Sequence, residues 1–97
     1  MFAVIFRATV GHQDAEYGKM ASKLRKLAFE TYGCLDFTAV TEGNQEIAIS
    51  YWESESAIKK WKENALHLIA QEFGQKQWYS AYSVQIVEVK HEYQFKI

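Results

Sequence analysis

Residues 61–67 of the chain read WKENALH, which sets Trp61, Asn64 and His67 three residues apart. Together the three types suit one kind of chemistry. An indole offers a flat surface to an aromatic substrate, and an amide orients a carbonyl or phenol oxygen. An imidazole titrates near neutral pH and can carry a proton. Such a site would need an aromatic floor from the strands, and Phe6, Phe37 and Tyr51 are the candidates. A plainer role competes for each member of the run. Trp61 shares a stripe with Ile58, Ala65 and Ile69, the pattern of core packing. Asn64 falls where the helix is expected to bend, so a side-chain cap is the simpler function. His67 lies about 240° round the helix from Trp61, at roughly 100° per residue, off that stripe.

Six elements must position these residues. FAVIFRATV (2–10) is β-branched and aromatic and predicts a strand, with Phe2, Val4, Phe6 and Ala8 on one face and Ala3 and Ile5 on the other. Tyr17, Met20, Ala21, Leu24, Leu27, Ala28 and Thr31 then follow helical spacing, with Asp14 as the expected cap and Gly33 as the stop. Residues 34–41 and 46–53 predict two strands joined by a two-residue turn at Gly43-Asn44. Ser54 is expected to cap a second helix that ends at Gly74. A connector, QKQWYSAY, leads to a last strand over 83–91.

The order β-α-β-β-α-β predicts an α+β, ferredoxin-like domain over residues 1–97: a four-stranded antiparallel sheet with two helices on one face. The strands carry large apolar groups on both faces, including the adjacent Tyr51 and Trp52. A second sheet packed on the uncovered face is therefore expected, and a symmetric homodimer supplies it most simply.

Composition narrows the partners. The formal net charge is −1, from 11 Lys and Arg against 12 Asp and Glu, with no clustered basic footprint, so nucleic acid is not an expected partner. One cysteine, Cys34, rules out an internal disulfide framework and fits a reducing compartment. Neither a structural zinc site nor a membrane partner is expected, and a cytoplasmic location is. The first residues read as a strand and not as a signal peptide.

The segment SYWESESAIKKWKENALHLIAQEFG (50–74) adds a resemblance. A strand ends in Trp52, a Ser-capped helix follows, a second Trp comes nine residues later at Trp61, and Gly74 closes the run. The chain resembles the antibiotic biosynthesis monooxygenase family of the dimeric α+β barrel superfamily. The resemblance implies a homodimer whose sheets close into a barrel, with a pocket between each sheet and its helices. It also implies, in some members, oxidation of polycyclic phenols to quinones with O2 and no cofactor. The haem-degrading branch uses an Asn on the first strand, a Trp on the second helix and a His about ten residues later. Here those places hold Phe6, Trp61 and Gln71, so haem degradation is disfavoured; His67 lies about 6 Å short of the last place at 1.5 Å per residue.

Two functions follow as expectations. One is a small cofactor-independent monooxygenase acting on an aromatic or quinol-type molecule, with His67 and Asn64 as its catalytic groups. Trp61, Tyr51, Phe6 and Phe37 would line its pocket. The other is a non-catalytic ligand-binding or stress-associated dimer. A polar group converging inside the pocket favours the first; a pocket filled by its own aromatics favours the second.

Overall fold

The structure is a computed structural model that describes residues 1–12, 15–73 and 78–97, with side chains described outside residues 66–77. Its elements run β1 (Phe2–Val10), α1 (Ala15–Glu30), β2 (Asp36–Glu42), β3 (Gln45–Trp52), α2 (Glu55–Phe73) and β4 (Tyr79–Glu88). The strands form one antiparallel sheet in the order β2-β3-β1-β4. This is the ferredoxin-like α+β arrangement that the sequence pattern predicts.

Local chemistry sets the boundaries. Gly43 takes φ +59°, while Asn44 keeps a negative φ, so the left-handed residue comes first in the two-residue turn. That is the type II′ pattern, whose twist matches paired strands. Glu42 then pairs with Gln45. Gly33, at φ +73°, turns the chain back after α1, and the Cys34 N–H donates to the Ala28 carbonyl at 2.9 Å. Ser54 caps α2 as expected: its Oγ accepts from the Ala57 N–H at 3.2 Å. The α2 helix is unbroken through Glu63 and Asn64, where the sequence suggests a bend. The expected cap Asp14 and stop Gly74 lie outside the described residues.

The last strand departs from expectation. It begins at Tyr79, four positions before residue 83, and ends at Glu88 rather than His91. The cause is at its start: a register shift between Thr9 and Val10 lets Val10 pair with Tyr79, and the Gly11 N–H donates to the Trp78 carbonyl at 2.7 Å. Pairing thus continues into what the sequence suggests is a connector.

Paired residues share a face of a sheet. The register therefore turns Phe2, Val4, Phe6 and Ala8 of β1 towards the helices, with Glu46, Ala48, Ser50 and Trp52 of β3 beside them. Val4, Ala28, Cys34, Trp52 and Ile58 form the buried core at one end of this inner face. Trp52 and Ile58 have almost no exposed surface. Ser50 is buried but satisfied, accepting from the Trp52 indole N–H at 2.8 Å. The outer face carries exposed Val40, Ile47 and Val87. Ile58→Ala is expected to cost about 2–5 kcal/mol by leaving a cavity under Trp52, read as a lower urea midpoint with an unchanged slope.

Candidate functional site

Two aromatic groups occupy the inner face. The first surrounds Trp61, which is half-buried against Trp52 with ring centroids 5.2 Å apart and meets the Phe37 ring edge-on at 6.3 Å. Its indole N–H donates to the Leu24 carbonyl at 3.2 Å, which ties α2 to α1. Asn64 lies close by and donates through Nδ2 to the Tyr32 hydroxyl at 3.0 Å. The Arg25 guanidinium covers Phe37 from outside, 5.8 Å from the ring centroid. This end of the layer is filled by its own side chains.

The second group lies at the other end of β3 and contains polar atoms that the sequence reading missed. Phe6 meets Tyr79 edge-on at 5.4 Å and stacks on Tyr82 at 5.8 Å. Tyr17, from α1, meets Trp78 at 5.2 Å and Tyr79 at 5.8 Å, both edge-on. Within these rings the Tyr79 O–H donates to the Tyr17 oxygen at 3.1 Å, and the Tyr17 O–H donates in a short hydrogen bond to Glu46 Oε1. The other carboxylate oxygen, Glu46 Oε2, is buried and has no hydrogen-bond partner among the described residues. Leaving such an atom unpaired costs on the order of 1–3 kcal/mol or more. It is buried close to the Tyr17 hydroxyl that binds its sister oxygen.

Local structure explains the placement. The Gly43 turn brings Glu46 opposite Ala8, on the inner face, where the small alanine leaves room for a carboxylate and the tyrosines above it. Thr41 flanks it on β2. Tyr79 joins because β4 starts early. The signal for Glu46 was only partly present in the sequence, since Glu46 alternates with Ala48, Ser50 and Trp52 but nothing local says which face of β3 turns inward. The signal for Tyr17 and Tyr79 was not, because only long-range packing brings residues 62 apart together.

The residues singled out by sequence are divided by the fold. Phe6, Phe37 and Trp61 reach the inner layer, with Phe6 in the second group and the other two in the first. Tyr51 is a correction. It pairs with Ala3 and Asp36 on the face turned from the helices, so it does not floor a pocket with Phe6 and Phe37. Successive strand residues alternate, and Trp52 takes the inward place. Asn64 sits beside the first group, bound to Tyr32. The side chain of His67 lies outside the described residues, as does that of Gln71. Among the described residues no group of three or more His, Cys, Asp or Glu is arranged to hold a metal, and no helix is long and apolar enough to cross a membrane.

A helix-covered antiparallel sheet in the order β2-β3-β1-β4 defines a ferredoxin-like α+β domain. No family model matches the sequence. The chain is 33% identical over 96 residues to the uncharacterised protein YqjZ of Bacillus subtilis, a match that covers 98% of this chain and 84% of that protein. SnoaB of Streptomyces nogalater, a cofactor-independent oxygenase, shares the fold at a TM-score of 0.73 and 15% identity over 94% of each chain. A candidate antibiotic biosynthesis monooxygenase of Caulobacter crescentus does so at 0.73 and 17%, over 93% of this chain and 90% of that one. The fold also occurs in MhuD, whose structure holds two manganese protoporphyrin IX per active site; there the TM-score is 0.64 and the identity 16%, over 98% of this chain and all of that one. The chain belongs to one family with YqjZ, and it shares the fold of these oxygenase structures.

The electrostatics of the second group give a measurable consequence. The Tyr79 phenol is held far above its ordinary value of 10.0, first by burial, then by its hydrogen bond to Tyr17 and by the nearby Glu46. In the unfolded chain it ionises near that ordinary value, while the folded chain keeps the proton. Its contribution to stability is therefore complete below pH 10 and is lost progressively as the pH rises above it. Tyr79→Phe is expected to lose less stability between pH 9 and pH 11 than the native chain, measured by urea unfolding across that range.

Proposed function

We propose that the chain is a cofactor-independent monooxygenase that oxidises an aromatic or quinol-type small molecule with O2, working as a homodimer in the cytoplasm. The observation that carries the reading is the Tyr79–Tyr17–Glu46 chain of hydroxyl and carboxylate groups converging inside a ring of aromatic side chains. Sites for flat apolar molecules combine such walls with a few oriented polar groups. The likeness to SnoaB and the Caulobacter protein supports the fold that houses it.

The reaction needs no metal or flavin in its balance. A phenol plus O2 gives a quinone plus water: the ring loses four electrons, one oxygen atom becomes the new carbonyl, and the other leaves as water. Removing the phenolic proton makes the ring electron-rich enough to react, so the protein must bind, deprotonate and keep water out. In this reading His67 carries a proton and Asn64, fixed by Tyr32, orients a substrate oxygen. Phe6, Phe37 and Trp61 supply apolar wall.

A second reading is a ligand-binding or stress-associated dimer without oxygenase chemistry. It is favoured by the closed packing of Trp61 on Trp52 and Phe37. Oxygen uptake decides between them. Purified protein with a panel of polycyclic phenols and quinols, without added metal or flavin, is expected to consume O2. His67→Ala is expected to slow it about 10²–10⁴-fold, the usual loss of a general acid–base group. No uptake with any member of the panel points to the second reading.

The homodimer is supported by two apolar surfaces that this chain leaves uncovered. One is the outer sheet face with Val40, Ile47 and Val87. The other is the C-terminal segment, in which Tyr93, Phe95 and Ile97 stand almost fully exposed and alternate with Gln94 and Lys96. Alternation of this kind suits a strand that lies on another surface. Removing residues 92–97 is expected to weaken dimerisation, seen as a concentration-dependent shift to monomer in sedimentation. An unchanged dimer would exclude the segment from the contact.

A further inference from the structure

We infer that Tyr17 is a redox-active tyrosine: a peroxyl-type one-electron oxidant at the β4 edge is reduced through the aromatic group, and a neutral radical comes to rest on Tyr17 as its proton passes to Glu46. The inference goes beyond the monooxygenase reading and needs no bound substrate.

A phenol gives up an electron readily only if its proton leaves too, because the cation it would otherwise become is costly inside a protein. For Tyr17 the acceptor is in place, since its O–H already donates to Glu46 Oε1. When the electron departs, the proton moves along that bond and Glu46 becomes a carboxylic acid. The pair goes from one negative charge to none, so no new charge is left buried. Tyr79 lacks such an outlet. Its O–H donates at 3.1 Å to the Tyr17 hydroxyl, a neutral group and a poor base. Burial and then that hydrogen bond hold its proton far above the ordinary phenol value. Oxidation therefore passes through Tyr79 and stops at Tyr17, whose oxygen keeps the Tyr79 hydrogen bond after losing its own proton.

The rings supply the path for the electron. Tyr82, 58% exposed on the edge strand β4, has its ring centroid 6.4 Å from that of Tyr79. Tyr79 is 5.8 Å from Tyr17, and Phe6 touches both Tyr79 and Tyr82. An electron crosses contacts of this kind while the protons stay local. At the surface the oxidant takes the electron with a proton from water and leaves as a hydroperoxide. At the inner end Tyr17 has lost one electron and Glu46 has gained one proton. Radicals on the exposed Tyr82 and Tyr93 would meet other molecules and couple. Tyr17 is half-buried, with the buried Trp78 edge-on to it at 5.2 Å, so a radical there is shielded.

Anaerobic flash photolysis tests this, with photo-oxidised tris(bipyridine)ruthenium as the one-electron oxidant and no substrate present. The native protein is expected to give a tyrosyl radical, identified by electron paramagnetic resonance, that outlives the radical of the urea-unfolded chain by about tenfold. In Tyr17→Phe, which keeps a ring against Trp78 and Tyr79, the long-lived signal is expected to vanish, although every other of the six tyrosines remains. Glu46→Gln keeps an acceptor oxygen but removes the base, and is expected to slow radical formation by about tenfold. Circular dichroism checks the fold of both variants. A long-lived radical that survives Tyr17→Phe overturns the proposal. So does a native radical that is no longer-lived than in the unfolded chain, or formation at the native rate in Glu46→Gln. Because neither O2 nor a phenol enters the experiment, its failure leaves the oxygenase reading standing, and absent oxygen uptake leaves this result standing.

Discussion

The inner face depends on one constraint, the pleat of β3 as set by the Gly43 turn. A strand alternates its side chains strictly, and a two-residue turn leaves no freedom to slip the register. With Glu42 paired to Gln45, every even-numbered residue of β3 faces the helices. Trp52 thereby reaches the core at one end and Glu46 reaches the interior at the other. A slip of one residue would exchange Trp52 for Tyr51 and withdraw the carboxylate from the tyrosines.

The two ends of that strand answer to different physics. Around Trp52 the packing is dense, and the polar atoms are satisfied locally: Ser50 takes the Trp52 indole hydrogen and Leu24 takes that of Trp61. Burial of apolar surface dominates there. Around Glu46 a carboxylate lies under aromatic rings with one oxygen satisfied and one not. An apolar residue would fill that place at lower cost. A feature that works against stability in an otherwise well-satisfied layer is where chemistry is best sought.

Family membership and site chemistry are separate lines of argument. Likeness to YqjZ and to solved oxygenase structures identifies the domain, and folds of this type host several reactions. The aromatic layer, the direction of the hydroxyl chain and the position of Glu46 belong to this sequence.

Periodicity and turn chemistry made most of the architecture legible in advance. The switch from period 2 to period 3.6, the Gly43-Asn44 turn, the Ser54 cap and the glycine after α1 are local signals, each set by residues within one turn or strand. They yielded the βαββαβ order and the two apolar faces of β1, while the inward face was set by packing. The sequence also placed Phe6, Phe37 and Trp61 towards the helices. Tertiary structure alone decided the rest. Where β4 begins depends on pairing across the sheet with Val10, and which of Tyr51 and Trp52 turns inward depends on register against β1. The meeting of Tyr17, Glu46 and Tyr79 depends on α1 crossing the sheet at that end. Contacts between residues far apart in the chain leave no periodic trace, because nothing in their local geometry requires them.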